Sequence, residues 1–247
     1  MELKPSREAF CKLAAETNLI AVAKEINMDL DTPVSVYYKL VGEKKGFILE
    51  SVDTTHQQFG RFSFIGAEPF ARLQVFKDKL MINENGLMKC IMGEPVETLK
   101  TYMQGFKPAV EDASLPLANG GMVGYLNYDI VATFDRVRVM ELGEEELLGQ
   151  FMICRVLVVY DALHNSARLI CLADTKGRDA DEAYDAVVEK IAKVEARLSA
   201  LLAPQAGETA KRREKVDFLK KFGKAPEDFL QAIHKAKEHI FAGDIFQ

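Results

Sequence analysis

The pattern of apolar and polar positions predicts two strands joined by a polar loop near the start of the chain. The first covers residues 47–49 and is followed by Glu50 and Ser51. Alternating side chains over residues 61–65 indicate the second, because successive side chains of a strand point to opposite faces. Gly66 closes this apolar run. We expect Glu50 and Ser51 at the rim of a sheet, where they either hold the ammonium group of a small ligand or begin a turn.

The same pattern predicts further strands and helices, as in an α+β fold. Strands are expected at residues 19–26, 33–41, 70–76, 80–83, 87–92, 120–129, 151–161 and 167–173, the second of them rich in β-branched and aromatic residues. Helices are expected after a capping Ser6, over residues 95–105 and 179–203, and from Pro226. Asn85 and Gly86 predict a tight hairpin, because both tolerate positive φ angles.

Length and composition restrict the function classes. With 247 residues and 48% hydrophobic content, the chain can bury a substantial core. A net charge of −5 argues against nucleic-acid binding, which depends on clustered cations. The apolar run over residues 151–160 is too short for a membrane span of roughly 20 residues. Scattered cysteines and a charged N-terminus predict a soluble cytoplasmic protein with free thiols and no signal peptide.

Motifs for known chemistry are absent from the sequence. It contains no glycine-rich phosphate-binding motif, no zinc-binding signature and no paired catalytic constellation. His234 and His239 are five residues apart, which turns them to different faces of a helix and disfavours a metal site. Gly120, Gly121 and Gly124 allow either close approach of a ligand or tight packing of the backbone.

The end of the chain predicts a further region. We expect an α+β region over residues 1–203, a linker over 204–225, and the start of another region over 226–247. In the last of these, an amphipathic helix is followed by a short apolar stretch. An apolar helix face needs a partner, so the sequence reads as part of a larger fold.

Four motifs in one order resemble a known family. They are Ile48–Ser51, Gly60–Gly66, Gly120–Asp129 and Ala242–Gln247. Together they are similar to the N-terminal half of anthranilate synthase component I, the large subunit of an enzyme of the chorismate-utilising family. The resemblance covers the chain from about Leu19 to its end.

The resemblance implies a fold and an activity. The fold would be the N-terminal part of a two-sheet α+β sandwich with helices outside. The complete subunit would be a lyase that makes anthranilate and pyruvate from chorismate. Its ammonia would come from a glutamine amidotransferase partner, and its cofactor would be Mg²⁺, with ligands outside this chain. L-Tryptophan would inhibit it by feedback, and this chain alone would be inactive.

The resemblance also assigns residues by position. Leu49, Glu50 and Ser51 would belong to the tryptophan pocket, and Gly243, Asp244 and Gln247 would support the chorismate region. It assigns no catalytic residue and no metal ligand to this chain. Two alternatives remain open: aminodeoxychorismate synthase component I, which shares the tryptophan-binding motif, and a non-catalytic module that binds aromatic amino acids.

Overall fold

A long strand, β3, lies at the centre of the described chain. The computed structural model describes residues 2–50, 61–109, 120–133, 143–201 and 226–247. The strands in this part are β1 (Leu19–Asn27), β2 (Gly46–Glu50), β3 (Phe62–Val75), β4 (Lys79–Glu84), β5 (Leu87–Met92), β6 (Val123–Leu126), β7 (Gly149–Asp161) and β8 (Ser166–Asp174). They form one antiparallel sheet. With the helices described below, this confirms the α+β class.

Each of the two longest strands has two shorter neighbours along one edge. β3 pairs with β7 along its length, and its other edge is shared by β2 and then β4. The edge of β7 that faces away from β3 is likewise shared by two strands. β6 pairs with residues 149–152 and β8 pairs with residues 156–161. The prediction of two separate strands, over residues 61–65 and 70–76, was wrong. β3 continues through Gly66 and absorbs one extra residue in a bulge between Pro69 and Ala71, so its direction changes without a break.

Five helices are described: α1 (Arg7–Ala14), α2 (Pro33–Leu40), α3 (Pro95–Gln104), α4 (Ala180–Ser199) and α5 (Pro226–Ala242). The predicted cap of α1 is confirmed by the structure. Ser6 caps α1 through a bond from the Ala9 amide, and Asp179 caps α4. Helix α5 belongs to a second compact unit, residues 203–247, whereas the other four belong to residues 1–202. The predicted linker, residues 204–225, lies outside the described residues.

The strand predicted over residues 33–41 was wrong, because this segment is helix α2. Thr32 and Ser35 form a reciprocal capping box, and Pro33 occupies the first turn. The capping box satisfies backbone N–H groups at the start of the helix, and Pro33 has no N–H group that needs a partner. Val36 and Leu40, four residues apart, then bury one helix face. Packing and capping therefore outweigh the strand preference of the local composition.

Helices α1, α2 and α4 cover one face of the sheet. Helical spacing predicts an apolar stripe along α4 that comprises Val187, Ile191, Val194, Leu198 and Leu201. The first four are buried, but Leu201 lies beyond the end of the helix and is 95% exposed. Phe10 of α1 packs edge-on against Tyr184 of α4 with ring centroids 5.2 Å apart. Helix α3 covers a second cluster, in which Leu99 packs with residues of β3 and β4. Both faces of β8 are buried, as its nearly continuous apolar sequence requires.

Strand β6 is shorter than predicted, and its glycine has a packing role. A 3₁₀ helix over Tyr128–Thr133 replaces the end of the predicted strand 120–129. A Cβ at Gly124 would lie 2.0 Å from the carbonyl oxygen of Gln150. The structure thus favours tight backbone packing at this glycine over a ligand contact.

The bulge in β3 is tied to the helices by Glu68. This residue has a positive φ of 55°. Its carboxylate accepts bonds from Lys190 at 2.5 Å and Arg197 at 3.0 Å, and Arg197 also donates to the Leu40 carbonyl at 2.6 Å. Burial opposes ionisation of Glu68, but the bonds and charges of the two cations outweigh it, so the pKa of Glu68 lies below its ordinary value.

We predict that Glu68→Gln destabilises the protein at pH 7 and matters less in acid. Because the folded pKa is lowered, the stabilisation is present above the unfolded pKa and is lost as pH falls through the folded pKa. All three side chains are about one-third exposed, so we expect a loss of only about 1 kcal/mol. Urea unfolding of both proteins between pH 7 and pH 3 measures this loss in the free energy of unfolding. An equal loss at every pH, or an equal effect of Glu189→Gln in the exposed Glu189–Lys193 pair, would contradict this.

Candidate functional site

The predicted rim site lies at the end of β2. This strand pairs with β3 and with no other described strand, so its outer edge has free backbone groups among the described residues. In the antiparallel register, Glu50 lies opposite Ser63 and Leu49 lies opposite Phe64. The structure therefore confirms that Glu50 ends a strand beside the second predicted strand.

Leu49 and Glu50 point to opposite faces of the sheet. Glu50 shares a face with Ile48, which packs against the core beneath the helices, and with its cross-strand partner Ser63. Leu49 is 45% exposed and shares the other face with Phe64. A ligand confined to one face can reach only one of these two side chains. A ligand beyond the free edge of β2 can reach both.

Glu50 is available for a ligand, whereas its neighbour Ser63 is buried. Glu50 is exposed and forms no hydrogen bond or ion pair with another described residue. Ser63 is only 7% exposed. The third predicted residue of the pocket, Ser51, lies outside the described residues, and its role stays a prediction.

A glycine opposite an aromatic ring anchors β2. Phe47 lies directly across from Gly66 in the register. A Cβ at Gly66 would lie 2.1 Å from Cε1 of the Phe47 ring, so the ring occupies the space that a side chain would take. Gly66 is therefore a packing position in the middle of β3 and does not end the strand.

An ionic network at the same end of the sheet was not found from the sequence. Arg61 donates to both oxygens of Asp161, at 2.9 and 2.6 Å, and Nδ1 of His164 lies 2.9 Å from Asp161 Oδ2. The Arg61 bond is the main reason that the pKa of Asp161 lies far below its ordinary value. The Arg61 guanidinium also stacks on Phe62. Because Phe62 and Asp161 are paired one row beyond Ser63, this network fixes the rim next to Glu50.

The sequence offered only a weak signal for this network. Arg61 and Asp161 are separated by 100 positions, and only the pairing of β3 with β7 brings them together. Each of them flanks a predicted strand end. The partner could have been predicted only if the register had been known.

The predicted residues of the second unit have local structural roles. Gly243, with φ of 79°, ends α5, and the amide of Asp244 donates to the His239 carbonyl at 3.0 Å. The Asp244 carboxylate lies 2.8 Å from His239 Nδ1. This arrangement is a helix C-cap. Gln247 is exposed. The chorismate-region role of these residues stays a prediction.

The described residues offer neither a metal site nor a membrane-spanning helix. No group of three or more His, Cys, Asp or Glu side chains in that part of the chain is placed to hold a metal ion. The described residues therefore provide no set of ligands that fits Mg²⁺. Among the same residues, no helix is both long and apolar enough to cross a bilayer.

Comparison with known families decides the class of protein. The model of the chorismate binding enzyme family matches residues 45–247, from the start of β2 to the last residue of the chain. The chain belongs to the chorismate-binding enzyme family. The match includes the rim of β2, the anchoring glycine and helix α5.

Several relatives named anthranilate synthase component 1 match this member of the family. The protein of Acetivibrio thermocellus is 30% identical over 95% of this chain and 48% of its own length. The protein of Synechocystis is 30% identical over 99% and 50%, and that of Pseudomonas aeruginosa is 31% identical over 98% and 49%. The chain thus spans about half the length of the relatives it matches.

A solved structure supports the fold. Anthranilate synthase component I from Streptococcus pneumoniae matches 89% of this chain and 46% of its own chain, with a TM-score of 0.52. At 21% sequence identity, the likeness concerns the fold alone. It agrees with the α+β class expected from the four motifs.

We predict that Gly66→Ala displaces the Phe47 ring and lowers the free energy of unfolding by about 1–3 kcal/mol, as overpacking does. Phe47→Ala provides the matched background, because it removes the ring that the new methyl group would strike. In the Phe47→Ala background, Gly66→Ala should lower the free energy of unfolding much less. A double-mutant cycle by urea unfolding measures the coupling. Equal costs in the two backgrounds would show that the ring does not restrict Gly66.

Proposed function

We propose that this chain is the N-terminal, tryptophan-sensing part of an anthranilate synthase component I. The complete subunit would convert chorismate and ammonia to anthranilate and pyruvate, with a glutamine amidotransferase as its ammonia source. The observation that carries the proposal is the match to component 1 relatives over nearly the whole chain, together with the shared family model. The activity belongs to the complete subunit, of which this chain supplies about half.

The free edge of β2 suits the polar end of an amino acid. At neutral pH, L-tryptophan carries an ammonium and a carboxylate group. The exposed Glu50 carboxylate can accept from the ammonium group, and unpaired backbone amides of an edge strand can donate to the carboxylate. A hydrogen bond with a charged partner contributes about 1.5–3 kcal/mol, which is enough to orient a small ligand.

The other face of the same edge suits the indole ring. Leu49 is half-exposed beside Phe64, which packs with Phe47 and Phe62 against a buried cluster. A ring that covers Leu49 would remove apolar surface from water at about 25 cal/mol per Å². Because Leu49 and Glu50 face opposite sides, we infer that the ligand lies beyond the strand edge and contacts both faces.

Catalysis is assigned to the remainder of the subunit. The chorismate and Mg²⁺ sites of the proposed enzyme would lie outside this chain, and Gly243, Asp244 and Gln247 would support the chorismate region. Mg²⁺ would neutralise the carboxylates of chorismate. Inhibition by tryptophan would then be a coupling free energy between two separate sites of the complete subunit.

The names of the relatives favour anthranilate synthase over the two alternatives. The matches cited above are all named anthranilate synthase component 1. An aminodeoxychorismate synthase would carry a similar tryptophan-binding motif, so that motif alone does not separate them. Product analysis does: the proposed enzyme releases pyruvate with anthranilate, whereas aminodeoxychorismate retains the enolpyruvyl group.

We predict that Ser51→Ala or Glu50→Gln in the complete subunit raises the tryptophan concentration for half-inhibition at least about tenfold. One hydrogen bond with a charged partner accounts for such a change. Turnover without tryptophan should stay within about twofold, because neither residue is assigned to catalysis. Anthranilate fluorescence at increasing tryptophan concentrations measures both quantities.

Glu43→Gln is the matched control for this experiment. Glu43 is an exposed carboxylate in the turn before β2, on the same segment but away from the rim. Its inhibition curve should coincide with that of the unmodified subunit. If Ser51→Ala and Glu50→Gln also leave the curve unchanged, the tryptophan pocket is not at this edge.

We also predict that this chain alone forms no anthranilate from chorismate, ammonia and Mg²⁺. The complete subunit should do so under the same conditions, because the proposed catalytic sites lie in its other half. Anthranilate fluorescence reports turnover, and circular dichroism of the isolated chain verifies that it is folded. Turnover by the folded chain alone would refute the assignment of catalysis to the remainder.

A further inference from the structure

A cleft lies on the part of the sheet formed by β6, β7, β3, β4 and β5. Its volume is about 430 Å³, and all of its lining residues belong to the first compact unit. The strand registers place two rows of side chains across its floor. One row comprises Val123, Met152, Arg72, Asn83 and Met88, and the other comprises Tyr125, Gln150, Gln74 and Met81.

The opposite face of this part of the sheet is a closed core. Leu73 and Val75 of β3 and Leu80 and Ile82 of β4 are buried there with residues of α3. The cleft side instead carries half-buried or exposed polar side chains between methionines. A sheet with one face packed and one face open presents these side chains on a rigid support.

The charges of the cleft are unbalanced. Among the described residues, the lining includes Lys45 and Arg72 and no Asp or Glu. Neither cation forms a hydrogen bond or ion pair with another described residue. Other cations on the same strands do have partners: Lys79 lies 2.8 Å from Glu145, and Lys89 lies 2.6 Å from Glu84.

Arg72 is the better placed of the two cations. It is half-buried within a cross-strand row, next to Met152 on one side and Asn83 on the other. Directly opposed residues on paired strands lie about 5 Å apart, so Asn83 can bind the same ligand as Arg72. A guanidinium can donate two parallel hydrogen bonds to one carboxylate or phosphate.

The remaining lining residues suit a flat apolar group. Met81, Met88 and Met152 supply flexible, polarisable side chains that pack well against aromatic rings. Tyr125 is half-exposed and supplies an aromatic face at the same cleft. Gln74 and Gln150, which are paired across β3 and β7, can hydrogen-bond polar substituents of the ligand.

We propose that this cleft binds a small anionic ligand with a flat apolar body, of the class of aromatic carboxylates. Arg72 and Lys45 hold the anionic group, and the methionines and Tyr125 pack against the ring. The cleft is separate from the proposed tryptophan edge. Lys45 precedes β2 and Glu50 ends it, so the two are about 16 Å apart along an extended strand. The proposal does not depend on the proposed function.

The test is a titration of the chain with three probes, followed by isothermal calorimetry at low ionic strength. Benzoate supplies both the ring and the anion, inorganic phosphate supplies the anion alone, and benzyl alcohol supplies the ring without charge. We expect benzoate to bind, phosphate to bind more weakly, and benzyl alcohol to show no measurable binding. Equal binding of benzoate and phosphate would overturn the apolar part of the assignment.

Three variants locate the site. Arg72→Met should weaken benzoate binding at least about tenfold, the effect of losing one charged hydrogen bond. Lys45→Met, in an exposed turn, should weaken it about threefold and gives a second test if Arg72→Met does not fold. Lys89→Met removes a cation from β5 outside this cleft and should have no effect. Benzoate binding that is absent from the unmodified chain, or insensitive to both Arg72→Met and Lys45→Met, would overturn the proposal.

Discussion

The pairing of β3 with its neighbours is the constraint on which the rest of the structure depends. β3 fixes β7 along one edge and both β2 and β4 along the other. It thereby sets the register of the β2 rim, with Glu50 opposite Ser63. A slip of one residue would exchange the faces of Leu49 and Glu50. The Phe47 ring over Gly66 opposes such a slip, since another residue at that position would meet the ring.

The bulge in β3 separates the two regions for which ligand sites are proposed. Before the bulge, β3 supports β2 and the proposed tryptophan edge. After it, β3 supplies Arg72 to the cleft that is lined by Arg72 and Lys45. Glu68 joins the bulge to α4 through Lys190 and Arg197. The helices therefore stabilise the point at which the sheet changes direction. Both proposed ligand sites lie on edges or faces that this support leaves open.

Local signals predicted much of the fold, and long-range contacts account for what was missed. Asn85 and Gly86 do adopt positive φ angles in the predicted hairpin. At residues 33–41, β-branched composition suggested a strand, whereas the capping residues around Pro33 favoured the helix that forms. Gly66 suggested a strand end because its partner Phe47 is 19 residues away. In the candidate site, the alternation of side chains along a strand could have shown that Leu49 and Glu50 point to opposite faces. The contact between Arg61 and Asp161 could not have been predicted without the register of two distant strands.

Hydrogen exchange of the complete subunit with and without L-tryptophan tests the central claim most directly. The free edge of β2 is proposed to donate backbone hydrogen bonds to the ligand, so its amides should exchange more slowly when tryptophan is bound. The account predicts added protection centred on residues 46–50 and the adjoining end of β3. Protection confined to other parts of the subunit, with β2 unchanged, would contradict it.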